Sequence, residues 1–104
     1  MAKILPEEAR RLVGALPGWE LDGETLRRQF TFQSFADAIA FSVRLGFAAD
    51  AADHHPEILI QFKRVTLTYT THSAGGLTQR DFDGAAAATR LAGQVRGDAA
   101  QKHL

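Results

Sequence analysis

Cysteine is absent from the 104 residues. That excludes a disulfide framework, thiolate zinc sites, iron–sulfur clusters and a thiol nucleophile. A surplus of either charge is absent too, since 12 Lys+Arg balance 12 Asp+Glu. Without a basic excess no nucleic-acid partner is expected, and without an acidic one there is no solvating tail. No apolar run approaches the ~18 residues of a bilayer span, so no membrane partner is expected. The start, MAKILPEEARR, lacks the apolar centre of a signal peptide. A cytoplasmic location is the resulting expectation. No serine sits in a Gly-x-Ser-x-Gly elbow, and Gly75-Gly76 lacks the wider spacing and the lysine of a phosphate loop. Repeats, linkers and low-complexity tracts are also missing.

What is present suits one globular domain over 1–104, with 45% hydrophobic and 23% charged residues. Residues 6–16 read as a helix: Pro6 suits its first position, Ala9, Leu12, Val13 and Leu16 form an apolar stripe, and Pro17-Gly18 ends it. Trp19–Leu21 and Glu24–Phe32 read as strands joined at Asp22-Gly23, with Trp19 in the core. Ser34 caps a second helix to about Ala49, with Phe35, Ala38, Ile39, Ser42, Leu45 and Gly46 as its inner stripe. Glu57–Phe62 and Val65–Thr71 alternate apolar and polar residues as a second hairpin around Lys63-Arg64. A loop over Ser73–Leu77 follows. Thr78 and Asp81 then have the spacing of a capping box for a last helix, with Phe82, Ala85, Ala86, Thr89, Ala92 and Val95 inward. Gly97 ends that helix, and 98–104 form a frayed tail. The expected fold is α+β: a four-stranded antiparallel sheet with helices packed on one face, in α-β-β-α-β-β-α order.

Three of the four histidines matter to this topology; His103 lies in the tail and has no role. If Lys63-Arg64 is a two-residue turn, Phe62 pairs with Val65, and continuing the ladder brings His55 opposite His72. Their Cβ atoms would then be ~4.5–5.5 Å apart. Both would lie on the polar face with Gln61, Thr66 and Thr70, flanked by Asp50 and Asp81. His54 is out of phase by one residue. Pro56 cannot donate to a ladder, so an irregular His-His-Pro segment lets both rings reach one pocket. Imidazoles exchange protons near neutrality, so such a cluster suits a reaction that adds one proton and removes another. Two blander readings stand beside it. The histidines could be structural, or three of them could hold zinc, although His-His adjacency is not the i, i+4 helical spacing.

Asp50-x-x-x-His54-His55-Pro56, His72 seventeen residues after His55 and Asp81 nine further on resemble the signature of the pterin-4a-carbinolamine dehydratases. Leu16-Pro17-Gly18-Trp19, the Phe30–Phe35 passage and Thr71-His72-Ser73-Ala74-Gly75-Gly76-Leu77-Thr78 resemble other segments of that family, and the likeness spans about residues 12–95. Two departures are visible: Phe62 stands where the family often has tyrosine, and Asp50 where many members have glutamate. The resemblance implies dehydration of 4a-hydroxytetrahydropterins, the products of aromatic amino acid hydroxylases, to quinonoid dihydropterins. It places His54, His55, His72 and Asp81 in the catalytic set. His54 and His72 are the acid/base candidates, with the two roles unassigned, while His55 orients the pterin and Asp50 and Asp81 tune the rings. It places Asp50, His54, His55, Pro56, Thr71, His72, Ser73 and Ala74 at the substrate. It implies neither metal nor organic cofactor, and a homodimer or tetramer. The competing reading is a non-catalytic interaction or assembly factor on the same fold, which has no reason to keep three imidazoles and their acids.

Overall fold

The structure is a computed structural model and describes residues 2–95. The readings that fall on 98–104 and His103 lie outside the described residues, whereas the last helix ends at Gly93, with Gln94 as its C-cap, short of the expected Gly97. Eight elements follow one another: α1 (Pro6–Val13), β1 (Glu20–Asp22), β2 (Thr25–Thr31), α2 (Phe35–Ala52), β3 (Glu57–Gln61), β4 (Arg64–Tyr69), a 3₁₀ turn (His72–Ala74) and α3 (Gln79–Gly93). The sheet is antiparallel throughout, in the order β1-β2-β4-β3. The α+β class and the α-β-β-α-β-β-α order stand as expected. Among the described residues no helix is long and apolar enough to cross a membrane.

Alternation places Leu26 and Phe30 of β2 and Val65, Leu67 and Tyr69 of β4 on the buried face. Phe30, Phe32 and Phe41 form an aromatic cluster there, with Phe41 5.2 and 5.0 Å from the other two ring centres. Trp19 is buried beside Phe30 and Tyr69, and its indole N–H donates to Thr89 Oγ1 at 2.9 Å. That bond ties β1 to α3 and satisfies the polar edge of a buried ring.

Helix boundaries follow their caps. Ser34 Oγ accepts from the Asp37 N–H at 3.0 Å, as expected for its N-cap. α1 stops at Val13, short of the expected residue 16. α2 runs three residues past Ala49, to Ala52. It closes with Asp53 in the left-handed region at φ 53°, and the His54 N–H returns to the Ala49 carbonyl at 3.1 Å. This Schellman-type closure fixes where the chain leaves the helix, and so where the His-His-Pro segment starts.

Three local expectations need correction. The first hairpin pairs Asp22 with Thr25, so its turn is Gly23-Glu24, not Asp22-Gly23. The second pairs Gln61 with Arg64, so its turn is Phe62-Lys63, not Lys63-Arg64. There Phe62 adopts φ 54° and points outward, 65% exposed. The inner stripe of α2 is Ala38, Phe41, Leu45 and Ala49; Phe35 and Ile39 are exposed instead. In α3, Ala88 is buried while Ala86 and Thr89 are half-buried.

Phe41 lies at the centre of the aromatic cluster, so Phe41→Ala is expected to cost about 3–5 kcal/mol in urea unfolding. A cost below about 1 kcal/mol would contradict this packing.

Candidate active site

The corrected hairpin register changes how the histidines meet. Glu57 pairs with Thr68 as the last rung of the β3–β4 ladder, so pairing begins after Pro56 as expected. The register differs by two residues from the expected one, so His55 and His72 are not cross-strand partners. A shift of two preserves the side of the sheet each residue faces, because side chains alternate with period two. Both rings therefore still line one open cleft, which His54, Thr71, Ser73 and Arg80 also border. The irregular segment does bring His54 to the same cleft. Thr70 lines it as well; Ala74 and Pro56 adjoin lining residues in the chain, and Asp50 reaches it through His55.

Each histidine sits in a different electrostatic setting. Asp81 is fully buried. Its Oδ2 accepts from the Thr71 hydroxyl at 2.8 Å and the Thr78 N–H at 2.9 Å, and its Oδ1 lies 2.6 Å from His54 Nε2. An ionised carboxylate only accepts, so Nε2 of His54 carries a proton and Nδ1 is left for other partners. The capping box expected from Thr78 and Asp81 is therefore formed, and the cap holds a histidine as well. The His54 ring is only 12% exposed. His55 Nε2 lies 2.8 Å from Asp50 Oδ1, and this pair is solvent-facing. His72 is exposed on the 3₁₀ turn, and its imidazole has no hydrogen-bond or ion-pair partner among the described residues. No group of three or more His, Asp or Glu side chains is placed to hold a metal ion among the described residues.

Residues 2–91 match the family described as pterin 4 alpha carbinolamine dehydratase. The chain belongs to that family. A relative from Roseiflexus sp. (strain RS-1), named as a pterin-4-alpha-carbinolamine dehydratase, is 51% identical over 81 residues, covering 78% of this chain and 87% of its own. One from Nostoc sp. (strain PCC 7120), with the same name, is 44% identical over 92 residues, covering 88% and 99%. The crystal structure of a transcriptional coactivator/pterin dehydratase from Brucella melitensis superposes with a TM-score of 0.84 at 34% identity, covering 88% of this chain and 99% of that one. A pterin dehydratase-like protein described as a RuBisCO assembly factor in the alpha-carboxysome superposes at 0.60 with 25% identity, covering 72% and 87%.

Against this family background, two residues near the site escaped sequence reasoning. Arg80 donates to the Ala52 and Asp53 carbonyls at 2.8 and 2.6 Å, clamping the end of α2 onto the start of α3. Its position next to Asp81 was the available signal. Tyr69 was read only as an apolar member of β4. Its ring lies nearly parallel to that of His54, 6.0 Å between centres and 19° apart. The signal was parity, since His54 is out of phase with His55 and so turns toward the face Tyr69 occupies. Burial, reinforced by the Asp81 charge, pushes the Tyr69 hydroxyl up to about 12 from its ordinary 10.0.

Asp81→Ala is expected to cost about 2 kcal/mol or more in urea unfolding, because it removes a cap and leaves buried donors unpaired. Asp50→Ala, at an exposed pair, is expected to change stability by less than about 0.5 kcal/mol. Tyr69 is the sole tyrosine, so absorbance at 295 nm reports it alone. The native titration should centre about 12, against 10.0 in urea. A native pKa above the unfolded one means the folded state keeps its proton longer. Stability from this group is thus complete below the unfolded pKa and lost as pH rises towards the folded one.

Proposed function

We propose that the chain removes water from 4a-hydroxytetrahydropterins to give quinonoid dihydropterins, and so recycles the cofactor of aromatic amino acid hydroxylases. The observation that carries this reading is the convergence of His54, His55 and His72 on one cleft, with a buried carboxylate behind His54. The 4a-hydroxyl leaves as water once an acid has protonated it, and a base takes the N5 proton. His54 and His72 fill these two roles, because they are the most and least tethered imidazoles at the cleft. Asp81 holds the His54 ring through Nε2, which leaves Nδ1 for the proton in transit. His72 has both nitrogens open. His55, held by Asp50, orients the pterin, and Pro56 stiffens that segment. Thr71, Ser73 and Ala74 present backbone groups to the pyrimidinone edge. The reaction as drawn uses the chain's own acids and bases, with no metal or organic cofactor. Positioned acid–base groups contribute ~10²–10⁴ in rate, enough for a substrate that already dehydrates slowly on its own.

The same reading carries a homodimer or tetramer in the cytoplasm. Phe35, Ile39, Val43 and Phe47 recur every four residues on α2 and are exposed by 53%, 37%, 53% and 73%. Such an apolar stripe on the outside of a helix suits burial against another copy. The coactivator and assembly-factor descriptions of the two structural neighbours favour a second reading, a non-catalytic interaction partner on this fold. The intact acid and histidine set favours the enzyme.

With freshly made 4a-hydroxytetrahydropterin, His54→Ala and His72→Ala are each expected to slow dehydration roughly tenfold or more while the fold persists. Full rates in both variants would remove the site assignment. Val43→Glu is expected to lower the mass seen by light scattering, and an unchanged mass would place the oligomer contact elsewhere.

A further inference from the structure

A second cavity lies between α2 and α3, and His54 and Tyr69 line it as well. Beside Leu45, small side chains make much of its wall: Ala48, Ala49 and Ala52 from α2, and Ala87 with Gly84 from α3. These side chains are too short to fill the space between the two helices. Gly84 has a specific part in this. A Cβ there would lie 2.6 Å from Tyr69 Cε1 and 3.0 Å from its hydroxyl oxygen, so only glycine lets the phenol end reach α3. Tyr69 is 98% buried, yet its hydroxyl has no hydrogen-bond partner among the described residues. A buried hydroxyl without a partner costs roughly 1–3 kcal/mol. The more exposed polar members of the lining already have partners: Arg80 holds the Ala52 and Asp53 carbonyls, and Asp83 accepts from Gln79.

We propose that this cavity is a second small-molecule site, which takes a neutral, mainly apolar carbonyl compound whose oxygen accepts from the Tyr69 hydroxyl. Alanine walls favour an apolar body and make a charged occupant costly to desolvate. The buried, unpartnered phenol donor selects an acceptor oxygen. A phenol is protonated at neutral pH, and burial raises its pKa further, so it remains a donor. An occupant would adjoin His54, which lines both spaces, and so bears on a ring of the proposed active site. His55 and His72 line the cleft and not this cavity. Binding here does not depend on the pterin reading, because its readout is a ring signal and not turnover.

The experiment titrates acetophenone into the full chain carrying labelled histidine and follows the imidazole resonances, assigned by single substitutions. The expected result is a saturable shift of His54 with His72 unmoved. Tyr69→Phe, which removes one oxygen and almost no volume, should weaken acetophenone about fivefold. Ala87→Leu, which fills the cavity, should abolish binding. Unchanged His55 and His72 signals show that each variant is folded; if Ala87→Leu disturbs them, Tyr69→Phe decides alone. The proposal is overturned by no saturable shift up to the solubility limit, by movement of His72, or by undiminished affinity in Tyr69→Phe.

Discussion

The carboxylate of Asp81 is the junction on which the site depends. It is fully buried, and it receives donors from three separate stretches of chain: the Thr71 hydroxyl after β4, the Thr78 N–H at the start of α3, and His54 beyond the end of α2. A buried charge is tolerable only when its hydrogen bonds are met, and these three meet it. The arrangement makes a helix cap and a tether for the His54 ring out of one side chain. Arg80 reinforces it from the neighbouring position by clamping the last carbonyls of α2. Together the two residues lock the end of one helix to the start of another, with the His54 ring held between them.

Much of the fold could be read from local chemistry, because its signals are short-range. Ser34 before an apolar helix, Thr78 three residues before Asp81, and strict alternation along β4 each report on neighbours within one turn or one rung. The inner face of α2 could not be read this way. Phe35, Ile39, Val43 and Phe47 form one apolar stripe and Ala38, Phe41, Leu45 and Ala49 another, so periodicity alone cannot say which faces the sheet. Tertiary packing decides in favour of Phe41, which fits beside Phe30 and Phe32.

The site shows the same division. Alternation correctly put His55 and His72 on one side of the sheet, because parity survives any even change of register. It could not set the register itself, which depends on Phe62 taking a left-handed backbone that a phenylalanine seldom adopts. The ring of Tyr69 against His54 was hidden for another reason. A tyrosine in an apolar alternation looks like core, and here it is core on one side and a neighbour of the His54 ring on the other. Among the described residues His54 is thus the one histidine that lines both the cleft and the space between the helices.

The double duty of Asp81 has an evolutionary corollary. A lineage that no longer needed the chemistry could shed His72 or Asp50 by drift, since neither anchors anything in the interior. It could not shed the aspartate so freely, because the start of the last helix would lose its acceptor along with the imidazole. Persistence of an acid at this position is therefore poor testimony to enzymatic activity, whereas the solvent-facing ring of His72, which nothing structural retains, is the better witness.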